Sequence, residues 1–209
     1  MINMNSIEIS ISSLGLSWTL SKLLPYILVL IIGISFSIIF FKKFNLLKPL
    51  KILISLVIFV LPFLLYFVYS PIYQGDFSNS GYTVSSENRF PNKKQFTVYV
   101  LPNCKFCVSS TATIKAMIRK NKGINLVVRV MGKSVNDSLK YVKLIDNLGL
   151  VSMNSSSKSI ETVQIKELFT ITQGEFPTFV ISKNGKAIKA WHNDNFGVRA
   201  IDEVTTFFQ

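Results

Sequence analysis

Hydrophobic and polar positions divide this 209-residue chain into two parts with different patterning. Up to Tyr69 the apolar residues run on with little interruption. "LLPYILVLIIGISFSIIFF", residues 23–41, and "ILISLVIFVLPFLLYFVY", residues 52–69, carry no charge. At about 1.5 Å per residue each run makes a helix of roughly 27–29 Å, close to the hydrocarbon thickness of a bilayer. A buried core helix would keep a polar face, and neither run has one, so both are predicted to cross a membrane. Pro25 is placed in the first turn of its span, where its missing N–H is no loss, and Pro62 at mid-span, where a kink is expected. The first run lacks a basic start and a small-x-small cleavage site, so it reads as a retained span and not as a signal peptide. Ahead of it "IEISIS" alternates like a strand with no partner in view, and the pattern leaves residues 1–22 undecided between a strand and an interfacial segment.

Beyond Tyr69 the periodicities are those of a water-soluble domain. Residues 70–95 are rich in Ser, Asn, Gly and Pro without a period, which predicts a linker. "FTVYVL" from Phe96 is a buried strand stopped by Pro102. Residues 104–121 predict a helix, with Cys107, Thr111, Ile114 and Ile118 on one face and Gly123 beyond its end. "INLVVRVM", residues 124–131, is a second strand. Strand, helix and strand at this length make a βαβ unit with parallel strands. An inserted helix over about 134–149 follows, with Val135, Leu139, Val142, Ile145 and Leu148 on one face. A weaker helix is predicted over 159–172. "TFVISKNGKAIKAW" then gives strand, Asn184–Gly185 turn and strand, because Asn-Gly supplies the positive φ values of a two-residue hairpin turn. A short helix over 198–208 completes the pattern.

Charge orients the two parts. The connection between the spans, "KKFNLLKPLK" at 42–51, carries four lysines and no acid. Residues 1–22 balance Lys22 against Glu8, and residues 70–88 have no Lys or Arg but contain Asp76 and Glu87. The bias of basic residues toward the cytoplasm makes 42–51 a cytoplasmic loop and puts residues 1–22 and everything after Tyr69 outside. The formal charge of +12 does not point to nucleic acid. Lys22, Lys42, Lys43, Lys48 and Lys51 flank the spans, and the remaining basic residues are scattered without a basic helix face. A solvated surface, or one facing anionic lipid, is the reading that pattern supports.

Candidate chemistry is confined to "LPNCKFCVSS", which holds both cysteines of the chain. Cys104 falls where a strand gives way to a helix. Free N–H groups and partial positive charge at a helix start stabilise a thiolate, and Lys105 adds a full charge beside it. Cys107, three residues on, shares that face and is near enough to close a disulfide. That makes Cys104 the nucleophile and Cys107 the resolving thiol of a disulfide exchange. Structural zinc needs four ligands and catalytic zinc three, whereas the chain adds only His192, placed with Asn193 and Asp194 in a solvated loop. No metal and no cofactor are expected. A merely structural disulfide remains the alternative. Trp191 is assigned to packing.

With these residues in view, the chain from about residue 90 to 209 resembles the thioredoxin-fold thiol–disulfide oxidoreductases, with glutaredoxin-like and Dsb-like features. The carriers of the likeness are the strand, the CxxC at a helix start, the second strand, the inserted helices, and a strand opened by proline before a hairpin and a terminal helix. After the two transmembrane α-helices read from the apolar runs, it implies over 96–209 an α/β thioredoxin-like domain with a helical insert. It implies a cis peptide before Pro177, opposite the cysteines. Phe176 and Pro177, with Lys105 and Phe106, are then the residues expected to meet substrate. The chain departs from the family in having Asn103 where a Trp precedes the first cysteine, and no carboxylate in "FTVYVL". Glu175, just before Phe176 and Pro177, is read as a solvated loop acid, with a place near the site as the alternative. The function expected is that of a membrane-anchored, extracytoplasmic enzyme working on protein thiols and disulfides. It would be served by a membrane-associated redox partner, at the periplasmic face of a bacterial inner membrane. A non-catalytic adaptor in a membrane complex, and a metal chaperone, are the alternatives.

Overall fold

The computed structural model describes residues 5–44, 47–78, 80–84, 90–101, 104–130 and 165–209, of 165–168 the backbone only. It contains two compact units, Asn3–Tyr73 and Gln74–Gln209.

The first unit has three helices, α1 (Ser6–Ser13), α2 (Trp18–Lys43) and α3 (Lys48–Tyr69). The alternating "IEISIS" is helical and not extended, because Asn5 and Glu8 form a capping box. The Glu8 N–H donates to Asn5 Oδ1 at 2.9 Å and the Asn5 N–H donates to Glu8 Oε2 at 3.0 Å. Helices α2 and α3, of 26 and 22 residues, are long and apolar enough to cross a membrane. Both are longer than the uncharged runs. Ser17 caps α2 by accepting from the Leu20 N–H at 3.2 Å, so Pro25 lies well inside the helix and not in its first turn. Lys42 and Lys43 end α2, and Lys48 and Lys51 fall in the first turn of α3, so the turn between them is shorter than 42–51. The two helices approach closely at Gly33, where a Cβ would stand 2.9 Å from the Phe59 carbonyl oxygen. The Ser37 and Ser55 hydroxyls hydrogen-bond across the pair. Elsewhere the helices turn apolar side chains such as Phe36, Leu65 and Val68 outward, as a lipid-facing surface does.

At the other end of α2 and α3 lies a buried polar cluster. Lys22 Nζ is 3.4 Å from Glu8 Oε1 and 3.4 Å from Ser70 Oγ, and the Ser70 hydroxyl donates to Glu8 Oε1 at 2.5 Å. The Tyr26 hydroxyl donates to the Ser70 carbonyl. Glu8 and Lys22, opposed only as charges in the sequence, are thus direct partners that fasten α1 to α2.

The second unit is built on a four-stranded sheet of order β2-β1-β3-β4. Its strands are β1 (Gln95–Val100), β2 (Leu126–Val130), β3 (Thr178–Lys183) and β4 (Lys186–His192). Its helices are α4 (Lys105–Lys120), α5 (Ile165–Thr172) and α6 (Val198–Phe208). Strands β1 and β2 are parallel, with α4 as their crossover; β3 runs antiparallel to β1 and to β4. Every residue of β1 is buried, as expected of a central strand covered on both faces. On one face Phe96, Phe179 and Phe196 stack, Phe179 on Phe196 at 3.8 Å between centroids, with Trp191 edge-on to Phe196. The next residues along the strands point to the other face, where Tyr99, Val180 and Ala190 pack with Val84, Phe90 and Ile171. This is the thioredoxin-like α/β arrangement that the resemblance implies. Of the predicted insert, the helix at 134–149 lies outside the described residues, and of that at 159–172 the described part is α5.

Within residues 70–95, expected as a linker, Tyr82, Val84 and Phe90 pack against the sheet. Tyr82 pairs with Ala190 through two hydrogen bonds of 2.9 Å, adding a bridge to the outer edge of β4. That blunts an edge strand that would otherwise offer unpaired N–H and C=O groups. Gly75 and Gly197 leave no room for a Cβ, and the Asp76 carbonyl accepts from the Arg199 N–H at 3.1 Å in the first turn of α6.

Candidate functional site

The site begins at the C-terminal end of β1. Cys104 is the N-cap of α4, extended at φ −77, ψ 113, and its Sγ accepts from the Cys107 N–H at 3.1 Å. A sulfur in that place takes up a donor that the helix cannot satisfy internally, and it stands at the positive end of the helix dipole. No acidic residue occupies the first turn of α4. Cys104 is partly exposed, whereas Cys107, one turn in on the apolar face with Ile114, Met117 and Ile118, is fully buried. The two are joined in a disulfide with a Cα–Cα distance of 5.2 Å. Lys105 and Phe106, between them, are exposed, Phe106 to 51%.

Facing the disulfide is the turn from α5 into β3. Gln173 and Gly174 take positive φ values of 52 and 85, and the Phe176–Pro177 bond is cis. The Phe176 carbonyl oxygen is 4.0 Å from Cys104 Sγ. Pro177 is buried and Phe176 partly so, its side chain against the cluster of Tyr99, Ile171 and Val180. The fold thus brings the Cys104–Cys107 pair to Phe176, 72 residues on from Cys104, with Pro177 next in the chain, and leaves Lys105 and Phe106 on the exposed shoulder of α4.

Two residues occupy environments the sequence did not indicate. His192, expected in a solvated loop, is the last residue of β4 and is 8% exposed. Its Nδ1 lies 3.4 Å from Thr178 Oγ1 and 3.6 Å from Glu175 Oε2. Burial holds its pKa below the ordinary 6.5, with Glu175 and then Asp194 opposing that shift. Tyr82, in the expected linker, stacks on the imidazole at 4.6 Å, and burial raises its phenol pKa, so the hydroxyl stays protonated. The signal for His192 is its spacing of two from Ala190, which puts both side chains on one face of β4. Nothing local in the sequence marks Tyr82.

No protein-family model and no curated protein matches the chain. Among solved structures it is similar to a secreted Mycobacterium tuberculosis disulfide oxidoreductase homologous to E. coli DsbE. That likeness has 11% identity over 56% of this chain and 82% of the other, with a TM-score of 0.42. It is also similar to the thioredoxin domain of a Bacteroides vulgatus thiol-disulfide oxidoreductase, at 14% identity over 62% and 96% of the two chains and a TM-score of 0.39. A third likeness is to the exposed lipoprotein thioredoxin of Streptococcus pneumoniae, at 14% identity over 59% and 99%, with a TM-score of 0.37.

Proposed function

We propose that the protein is a membrane-anchored thiol–disulfide oxidoreductase that exchanges disulfides with protein substrates outside the cytoplasm. The observation that carries this reading is the pairing of a partly exposed Cys104 at a helix N-cap with a buried Cys107, set against Phe176–Pro177. In the reduced protein, the Cys104 thiolate attacks one sulfur of a substrate disulfide. A Cys104–substrate S–S bond forms, and the second substrate sulfur leaves as a thiolate. Cys107, after losing its proton, attacks Cys104 Sγ. The mixed disulfide breaks, the substrate leaves reduced by two electrons, and the Cys104–Cys107 bond is restored. The same steps in reverse oxidise a dithiol substrate. Phe176, Pro177, Lys105 and Phe106 form the surface that substrate meets. With two cysteines in the whole chain, the pair exchanges electrons with a separate, membrane-associated partner.

Helices α2 and α3 anchor the chain, and the lysines at their connection favour the cytoplasm for that end. The domain then faces the other side, which in a bacterial inner membrane is the periplasm. The test is thiol chemistry on the full chain in detergent. After mild reduction Cys104 should be alkylated rapidly at neutral pH and Cys107 slowly. Cys107→Ser should trap mixed disulfides with envelope proteins, and Cys104→Ser should trap none. Equal, slow alkylation together with no trapped partner would remove the oxidoreductase reading.

A further inference from the structure

The turn that carries Phe176 is wound by its own hydrogen bonds and then gripped from outside. The Glu175 N–H returns to the Thr172 carbonyl at 2.9 Å, and the Thr178 hydroxyl donates to the Glu175 carbonyl at 2.5 Å, bracketing Phe176 and Pro177. Thr178 has one hydroxyl hydrogen, and that bond uses it, so its oxygen can only accept from His192. This network assigns the ring proton to Nδ1 of His192, whose N–H then also faces the Glu175 carboxylate. Tyr82 stacks on the imidazole face and donates its hydroxyl to the Ile171 carbonyl at 2.6 Å, in the last turn of α5. One buried imidazole thus contacts both flanks of the dipeptide, Glu175 before it and Thr178 after it.

We propose that His192, with Glu175, is a positioning residue of the site. It fixes where the turn Gln173–Pro177 presents the Phe176 carbonyl and Pro177 to substrate, and its protonation makes substrate capture depend on pH. This rests on the thiol–disulfide reading of Cys104 and Cys107. A histidine serving packing alone would need a single acceptor. This one also meets a carboxylate that is 62% exposed and sits one residue before Phe176, whose carbonyl oxygen is 4.0 Å from Cys104 Sγ. The charged and titratable groups around it are Glu175 from the turn, Asp194 from the bend after β4, and the protonated Tyr82 from the strap along β4. Above the ordinary pKa of 6.5 the neutral N–H holds the turn. Burial holds the folded pKa below that value, and only below this lowered pKa does proton uptake convert the Glu175 contact into an ion pair that tightens the same grip.

The experiment follows KM and kcat of the full chain in detergent with an uncharged peptide disulfide, from about pH 5 to about pH 8. Cys104 alkylation is measured in parallel, so that the thiolate fraction is known at each pH. Wild type should show a KM about threefold lower at the acid end. Glu175→Gln, on an exposed side chain, should flatten that profile without changing alkylation. His192→Asn places an amide N–H where Nδ1 stood and removes the titrating ring, and should lose the pH dependence of KM. His192→Ala should raise KM about tenfold with kcat less affected. If Glu175→Gln and His192→Asn both reproduce the wild-type KM profile while Cys104 stays reactive, the positioning role is wrong and the oxidoreductase reading stands. If wild-type Cys104 does not react, the underlying reading falls and the inference falls with it.

Discussion

At Cys104 three local features act on one sulfur: an N-cap position, an amide donor at 3.1 Å and an exposed lysine beside it. The first two come from backbone and should survive surface substitution, whereas the third is screened by water and salt. Lys105→Glu should slow alkylation of reduced Cys104 about threefold at low ionic strength. The gap should narrow as salt is added, in a rate measurement at fixed pH. An unchanged rate at low salt would mean that the helix end alone sets the thiolate. His192 makes a different prediction. Burial lowers its folded pKa below 6.5, so above that value the neutral form is present in both states and the full stability is available. As pH falls from 6.5 toward the lower folded pKa, the unfolded chain takes up the proton more readily and stability is lost. Thermal melts of wild type and His192→Asn should therefore converge in acid, the wild type losing stability there that the variant has no histidine to lose. The cysteine pair was legible in the sequence because N-cap position and spacing are local. The surroundings of His192 were not, for they depend on strand register.

Among the helices, the buried pair Glu8–Lys22 shows how a short element is held. With eight residues and a capping box, α1 is too short to persist by propensity alone. It is fastened instead by a carboxylate that meets Lys22, Ser70 and its own N-cap amide. Breaking one side of such a pair leaves an uncompensated buried charge, at a cost of about 3 kcal/mol, while replacing both partners together is far cheaper. Lys22→Met should lower the unfolding midpoint in detergent, and Glu8→Gln combined with Lys22→Met should recover most of the loss. Additive losses in the double variant would show that the pair is not coupled. The sequence signal was present here, since Asn5 and Glu8 stand at capping-box spacing, but the alternation of "IEISIS" competed with it. In the 74–84 stretch there was no such signal. Its composition is that of a tether, and only pairing with Ala190 and packing of Val84 reveal a strap.

For the molecule as a whole, the proposed topology sets the cysteine pair and the lysine-rich turn on opposite sides of a membrane. In intact cells a membrane-impermeant maleimide should label reduced Cys104. It should fail to label a cysteine introduced at the exposed Phe44 of a cysteine-free chain until the membrane is opened. Labelling of both from outside, or of neither, would refute the topology.

The chain's one-dimensional pattern was sufficient for two long apolar helices, a βαβ start with its cysteines at the helix cap, and an Asn-Gly hairpin. Each of these rests on contacts between near neighbours: an uncharged run, a cap, and positive φ at Asn184 and Gly185. Register was decided only by the folded sheet. Counted outward from the Asn184–Gly185 turn, Ser182 faces Ala187 and an unbroken ladder would set Thr178 opposite Trp191. The chain instead shifts by one residue after Ser182, so that Ile181 meets Lys189 and Thr178 meets His192. Because side chains alternate along a strand, that single extra residue puts Trp191 into the aromatic stack and His192 beside the turn that carries Phe176. A bulge has no local sequence signature here, and it is in the shifted register that Phe179, Trp191 and Phe196 pack together.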